Sequence, residues 1–143
     1  MEPFGITAGI PQGSPLSPIL WLLYNHKALK VAEDEEALVT GYIDDTCILV
    51  TGDDTRTNST QLDRIHSRLG GWVKQHGAVF VPQKYELIHF YWQPKEVSEE
   101  QQEASVTIHT ETTTQEIGPV GSARYLGIWI DSRLTTRHTL RKH

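Results

Sequence analysis

The hydrophobic residues follow two periods along the chain. Apolar positions 16, 19, 20, 22, 23, 24, 28 and 29 cover most of the circumference of a 3.6-residue repeat, as in a helix buried in a core. Ser14-Pro15 and Ser17-Pro18 each put a capping serine before a proline whose missing N–H costs nothing at the first helical position, so a helix is expected to start there. The run Glu33-Asp34-Glu35-Glu36 ends it and reads as a solvated loop. Two β-prone runs, 38–43 and 46–51, flank Asp44-Asp45 at the spacing of a two-residue hairpin. Asn58, with Gln61 three residues on, predicts the cap of a second helix, and Leu62, Ile65, Leu69, Trp72 and Val73 keep helical spacing up to Gly77. Gly70-Gly71 interrupts that pattern at about 1 kcal/mol per glycine relative to alanine, leaving room for a kink. A third β-run covers 85–92, residues 104–109 form a strand candidate inside a Glu/Gln/Thr-rich stretch, and 125–130 is the last strand candidate. Helix, hairpin, helix and then strands is an α+β order, with helices on one face of a mostly antiparallel sheet.

Composition narrows the class. A chain of 143 residues is one domain or a piece of a larger one, and 38% hydrophobic residues suffice for a core. Eighteen acidic against 13 basic residues give a net charge of -5, the wrong sign for a protein that wraps phosphates. The tail 133–143 runs against that balance, with Arg133, Arg137, Arg141 and Lys142 and no acid. A single cysteine, Cys47, excludes an intramolecular disulfide and a multi-cysteine zinc site. No wholly apolar run is longer than 19–24, and the first five residues lack the features of a signal peptide. A soluble intracellular protein of cytoplasm or nucleus, with no membrane contact, is expected.

Asp44 and Asp45 break a local rule. Two-residue hairpin turns favour Asn-Gly or Asp-Gly because their central residues need positive φ, whereas Asp-Asp supplies no glycine and sets like charges side by side. A divalent cation relieves that repulsion, and Mg²⁺ takes one or two carboxylates together with phosphate oxygens. By itself an Asp-Asp pair reads first as an exposed acidic turn, and the apolar strands that lead into and out of it are what favour a metal site. The loop from Gly9 to Ser14 brings glycines to a helix start, where backbone N–H groups can meet a phosphate, and it also reads as a plain capped start. Lys84 suits a proton donor or a phosphate contact, or simply a charge guarding a strand edge. Cys47, inside a β-run, reads as core. The seven histidines show no H-E-x-x-H or comparable ligand spacing.

In order, these pieces resemble one family. Residues 9–18 (GIPQGSPLSP), then Tyr42-Ile43-Asp44-Asp45, then Lys84 after a helix carrying Trp72, then Tyr125-Leu126-Gly127, closely resemble the palm of reverse transcriptases of the non-LTR, LINE-type retrotransposon kind, motifs B to E, over almost the whole chain. The resemblance implies a ferredoxin-like polymerase palm over 1–131, with 132–143 the basic start of a thumb. It implies that Asp44 and Asp45 are catalytic ligands of Mg²⁺, and that Tyr42 packs near the primer end. It further implies that Gln12, Gly13 and Ser14 line the template and nucleotide pocket, that Lys84 protonates or neutralises the leaving pyrophosphate, and that Leu126 and Gly127 contact the primer. The partners so implied are an RNA template and a DNA primer.

The chain departs from that pattern in one respect. The family's motif A carboxylate stands on a strand before motif B, and here only Glu2 precedes Gly9. The basic fingers are not in this segment either, which accounts for the acidic balance. A palm fragment, incomplete at both ends and inactive as an isolated chain, is therefore expected. Two other readings stay open: a non-catalytic nucleic-acid-binding remnant acting through Arg133, Arg137, Arg141 and Lys142, and a decayed open reading frame with no selected role.

Overall fold

The structure, a computed structural model, describes residues 9–33, 35–92, 97–110 and 113–135. Helix α1 (Ser17–Leu29) is followed by the antiparallel hairpin β1 (Ala37–Tyr42) and β2 (Asp45–Val50), then by the long helix α2 (Thr55–His76). A 3₁₀ turn, Pro82–Lys84, leads to the short helix α3 (Glu99–Gln102). Two further hairpins close the described chain, β3 (Val106–His109) with β4 (Thr114–Ile117), and β5 (Ser122–Tyr125) with β6 (Ile128–Asp131). The architecture is the expected α+β mixture with antiparallel pairing, distributed over three two-stranded sheets rather than one continuous sheet.

Helix α2 carries apolar residues on two adjoining faces, and each supports one core. Ile65 and Leu69 pack with Ala28 and Ala32, at and beyond the end of α1, and with Val39 of β1, while Ile48, Val50, Trp72 and Phe80 border the cluster. Leu62 borders a second cluster of Leu87, Val106, Ile108 and Ile117. Val106 and Ile108 alternate with less buried neighbours, as a strand with one face against a helix must. The double glycine at 70–71 does not interrupt α2, which runs 22 residues to the left-handed Gly77 at its C-terminus.

Several local expectations are corrected. Helix α1 is not capped by a serine side chain; Leu16 precedes it, and the Ser17 hydroxyl instead donates to the Pro11 carbonyl. Nor is α1 buried all round: Leu16, Ile19, Leu20, Leu22 and Leu23 are 46–71% exposed, because no element among the described residues covers that face. Helix α2 starts earlier than Asn58, at an Asp54 cap whose carboxylate accepts from the Thr57 N–H at 3.0 Å. That hydrogen bond, with those from the Thr57 hydroxyl and Gln101, holds the Asp54 carboxyl below the usual carboxylate range. Gln101 thereby ties α3 to the start of α2, and its carbonyl accepts from the hydroxyls of Thr55 and Tyr91.

The run 85–92 keeps its period of two but does not join a ladder beyond a single parallel bridge between Leu87 and Pro119. Its inward residues are engaged by side chain instead. Tyr85 meets His66 at 3.1 Å, Leu87 enters the second core, the His89 ring meets the Ala104 carbonyl, and Tyr91 reaches Gln101. The segment 125–130 is likewise a hairpin rather than one strand, because Leu126 and Gly127 at its centre both have positive φ, 48° and 83°.

The acidic run after α1 is not wholly a solvated loop. The Glu35 side chain is 6% exposed and forms ion pairs with Arg64 and, at 3.4 Å, Arg68, both on α2. Arg68 also donates to the Val31 carbonyl at 3.1 Å, so the α1–β1 connection is strapped to the helix. Glu35→Gln is expected to lower unfolding free energy by about 1–2 kcal/mol, read from the urea midpoint, since it weakens charge-assisted hydrogen bonds at a buried carboxylate.

His66 gives a pH signature. Its burial pushes the imidazole below the ordinary histidine value, aided by His109 and opposed by Asp63. The unfolded chain then binds the proton more readily than the folded one, so stability contributed by neutral His66 is complete above about pH 6.5 and is lost as pH falls below it. The urea midpoint should decline as pH falls below about 6.5, and His66→Gln should flatten that decline.

Candidate functional site: the Asp44-Asp45 hairpin

The hairpin turn is shifted by one residue from its expected place. Register pairs Tyr42 with Asp45, so the two turn residues are Ile43 and Asp44, and Asp45 is the first residue of β2. Ile43 has φ 54°. A β-branched residue in that region is a true outlier, costing about 1–2 kcal/mol. The rule-breaking seen at this turn is therefore real, but it falls on Ile43 rather than on the aspartates. Tyr42, Asp44 and Asp45 are all exposed.

Helix α1 holds this tip. The Trp21 indole N–H donates to the Ile43 carbonyl at 2.6 Å. One and two turns further along α1, Asn25 and Leu29 lie over Gly41, where a Cβ would stand 3.0 Å from the Leu29 Cδ2 and 3.6 Å from the Asn25 Nδ2. Glycine at 41 thus lets helix and hairpin approach. Trp21 is itself keyed to α2: its ring lies 5.6 Å from Tyr24, which meets Trp72 edge-on at 5.1 Å and donates to the His76 carbonyl at 2.6 Å.

The remaining candidates are distributed around this hairpin. In the loop before α1, Gly9 and Gly13 have φ 94° and 86° with open space where a side chain would stand, so their glycines serve backbone conformation rather than packing. Gln12 and Gly13 are exposed, and the Ser14 hydroxyl accepts from the Leu16 N–H at 3.3 Å. Lys84 ends the 3₁₀ turn, exposed, with no hydrogen bond or ion pair to Asp44 or Asp45. Leu126 and Gly127 form the tip of the β5–β6 hairpin. Arg133 is exposed just beyond β6, while Arg137, Arg141 and Lys142 lie outside the described residues.

Two neighbours of the pair were not singled out for it from sequence. Partial burial raises the Tyr125 hydroxyl above the ordinary tyrosine value, and the charges of Cys47 and Asp45 add to this, so Tyr125 of β5 lies within electrostatic reach of β2. Trp21 had a signal in the sequence, since an indole N–H in an apolar helix needs a partner. Cys47 is half-buried, and burial pushes its thiol up, as befits a packing residue.

Chemically, the tip offers hard carboxylate oxygens to solvent. Among the described residues no group of three His, Cys, Asp or Glu side chains stands close enough to hold a metal ion. Asp44 and Asp45 fit Mg²⁺ in donor type, as the one or two carboxylates it takes when phosphate oxygens and water complete its shell.

An antiparallel hairpin with adjacent carboxylates at its tip, packed on helices in an α+β unit, has the build of a polymerase palm. A family profile described as "Reverse transcriptase (RNA-dependent DNA polymerase)" matches residues 2–130, and the chain belongs to that family. It is 29% identical over 133 residues to the "Probable RNA-directed DNA polymerase from transposon BS" of Drosophila melanogaster, covering 90% of this chain and 14% of that protein. The chain therefore spans about a seventh of that relative's length. No solved structure matches it. No helix among the described residues is long and apolar enough to cross a membrane.

The strained turn leads to a direct test. Ile43→Gly should raise hairpin stability by about 1 kcal/mol, read as slower amide exchange in β1 and β2, because glycine takes positive φ without the Cβ penalty.

Proposed function

We propose that this chain is the part of a non-LTR-type reverse transcriptase palm that presents the metal-binding pair Asp44 and Asp45 to a DNA primer on an RNA template. The observation that carries this reading is the exposed aspartate pair at a hairpin tip held by α1, in a chain of the reverse transcriptase family. Reverse transcriptases are generally metal-dependent, and bound Mg²⁺ supplies charge that stabilises a transferring phosphoryl group. Tyr42, opposite Asp45 in the ladder, packs by the primer end; Gln12, Gly13 and Ser14 line the template and nucleotide pocket. Lys84 neutralises pyrophosphate, and Leu126 and Gly127 contact the primer from a hairpin whose Tyr125 lies near Asp45. Residues 1–131 are palm in this assignment, and 132–143 are a basic lead into a thumb, with Arg133, Arg137, Arg141 and Lys142 for phosphates. The work is done inside the cell, in cytoplasm or nucleus.

With two carboxylates and no third ligand among the described residues, the 143-residue chain binds the cation weakly and does not extend a primer alone. Mn²⁺ titrated into the labelled protein should broaden NMR signals of residues 42–46 first, and Asp44→Asn should weaken that binding by about tenfold, roughly 1.4 kcal/mol. Broadening spread evenly over the acidic surface would refute the metal assignment. Primer extension on an RNA template should give no product; incorporation abolished by Asp44→Ala would refute inactivity of the isolated chain.

A further inference from the structure

The pair's geometry depends on a residue outside the motif that carries it. We propose that Trp21 is a positioning residue, its indole N–H holding the Ile43 carbonyl so that the turn keeps its left-handed residue and Asp44 and Asp45 keep their place. The inference rests on the reading of that pair as the metal site.

The two-residue turns that best match strand twist put positive φ at a central position, and the residue that takes it between Tyr42 and Asp45, Ile43, is among the least suited to do so. Without a restraint an isoleucine there favours the extended region, which would change the course of the chain into Asp44. The one side-chain hydrogen bond to the Ile43 carbonyl among the described residues comes from Trp21, at 2.6 Å. Trp21 in turn has little freedom. Its ring packs on Tyr24, Tyr24 packs on Trp72 and is bonded to the His76 carbonyl, and Trp72 stacks with His76 at 4.6 Å. An aromatic chain thus runs from the end of α2 through α1 to the turn, and registers the aspartates against the most buried helix of the fold. The Gly41 contact with Leu29 and Asn25 fixes the height of the same helix over the same hairpin, so the donor approaches at a set distance. Phenylalanine at 21 would keep an aromatic ring beside Tyr24 but, smaller and without a donor, could not restrain the carbonyl.

The test begins without a variant. Indole N–H exchange with water is measured by NMR in the whole chain, with Trp92, 97% exposed, as the internal reference. Trp21 should exchange about threefold or more slowly than Trp92, as a single neutral hydrogen bond gives. Replacing Trp21 with benzothienylalanine keeps the two rings and removes only the donor; Trp21→Phe is the genetic counterpart. Both should move the amide-to-α coupling of Ile43 toward extended values and shift residues 43–45, while Ile65 and Leu69 in α2 keep their positions. The hairpin Mn²⁺ affinity should fall several-fold in both variants, and Tyr24→Phe, which keeps the donor but loosens its anchor, should fall between them and the parent. Indole exchange at the Trp92 rate, or an Ile43 coupling unchanged in the benzothienyl variant, overturns the proposal. If the parent shows no selective Mn²⁺ broadening, the metal reading of the pair fails; exchange and coupling still decide whether Trp21 holds the turn.

Discussion

Ile65, with no exposed surface, and Leu69, with almost none, are the points where α2 is pressed against the end of α1 and the first hairpin, while Leu62 one turn earlier meets the β3–β4 pair. Three two-stranded ladders cannot bury their own faces, and isolated hairpins are marginal in water. The first two stay folded by lying on this one helix. That explains why the helix remains continuous through Gly70 and Gly71: the cores on its two adjoining faces outweigh the local cost of two glycines.

Charge serves the same construction. A net charge of -5 suggests a surface built to repel phosphates, yet several of the acids are spent within the chain. Glu35 straps the α1–β1 connection to Arg64 and Arg68, and Asp54 caps α2 while Gln101 ties α3 to it. Asp44 and Asp45, by contrast, are left to solvent at the end of a hairpin. Acids used as struts are neutralised by arginine or by backbone N–H, and only three-dimensional context separates them from acids left at the surface.

Much of the fold was legible in the residues. The periodicity of α2, the hairpin around the aspartates, the strand within 104–109 and the left-handed Gly77 all follow from spacing and residue type. The errors were local and share a cause. The Ser-Pro pairs looked like caps, but a serine hydroxyl can equally bond a carbonyl in the preceding turn. The alternation in 85–92 is genuine, but alternation reports which face is buried, not whether a neighbouring backbone exists to pair with. The apolar girth of α1 indicated full burial, but girth reports only which residues are apolar, and no element among the described residues packs on its leucines.

By itself the sequence determined the chemistry on offer and its order along the chain: a glycine-rich loop before a helix, two adjacent carboxylates between β-runs, a lysine, a Leu-Gly turn, and through these the family. Each depends only on residue type and local spacing. The tertiary structure decided what spacing cannot encode. It moved the turn by one residue onto Ile43, made Glu35 a strut rather than a solvated charge, brought Tyr125 near Asp45, and set Trp21 against the carbonyl that shapes the aspartate turn. All but the local turn register depend on interactions between residues 22 to 80 positions apart, which residue spacing along the chain does not encode.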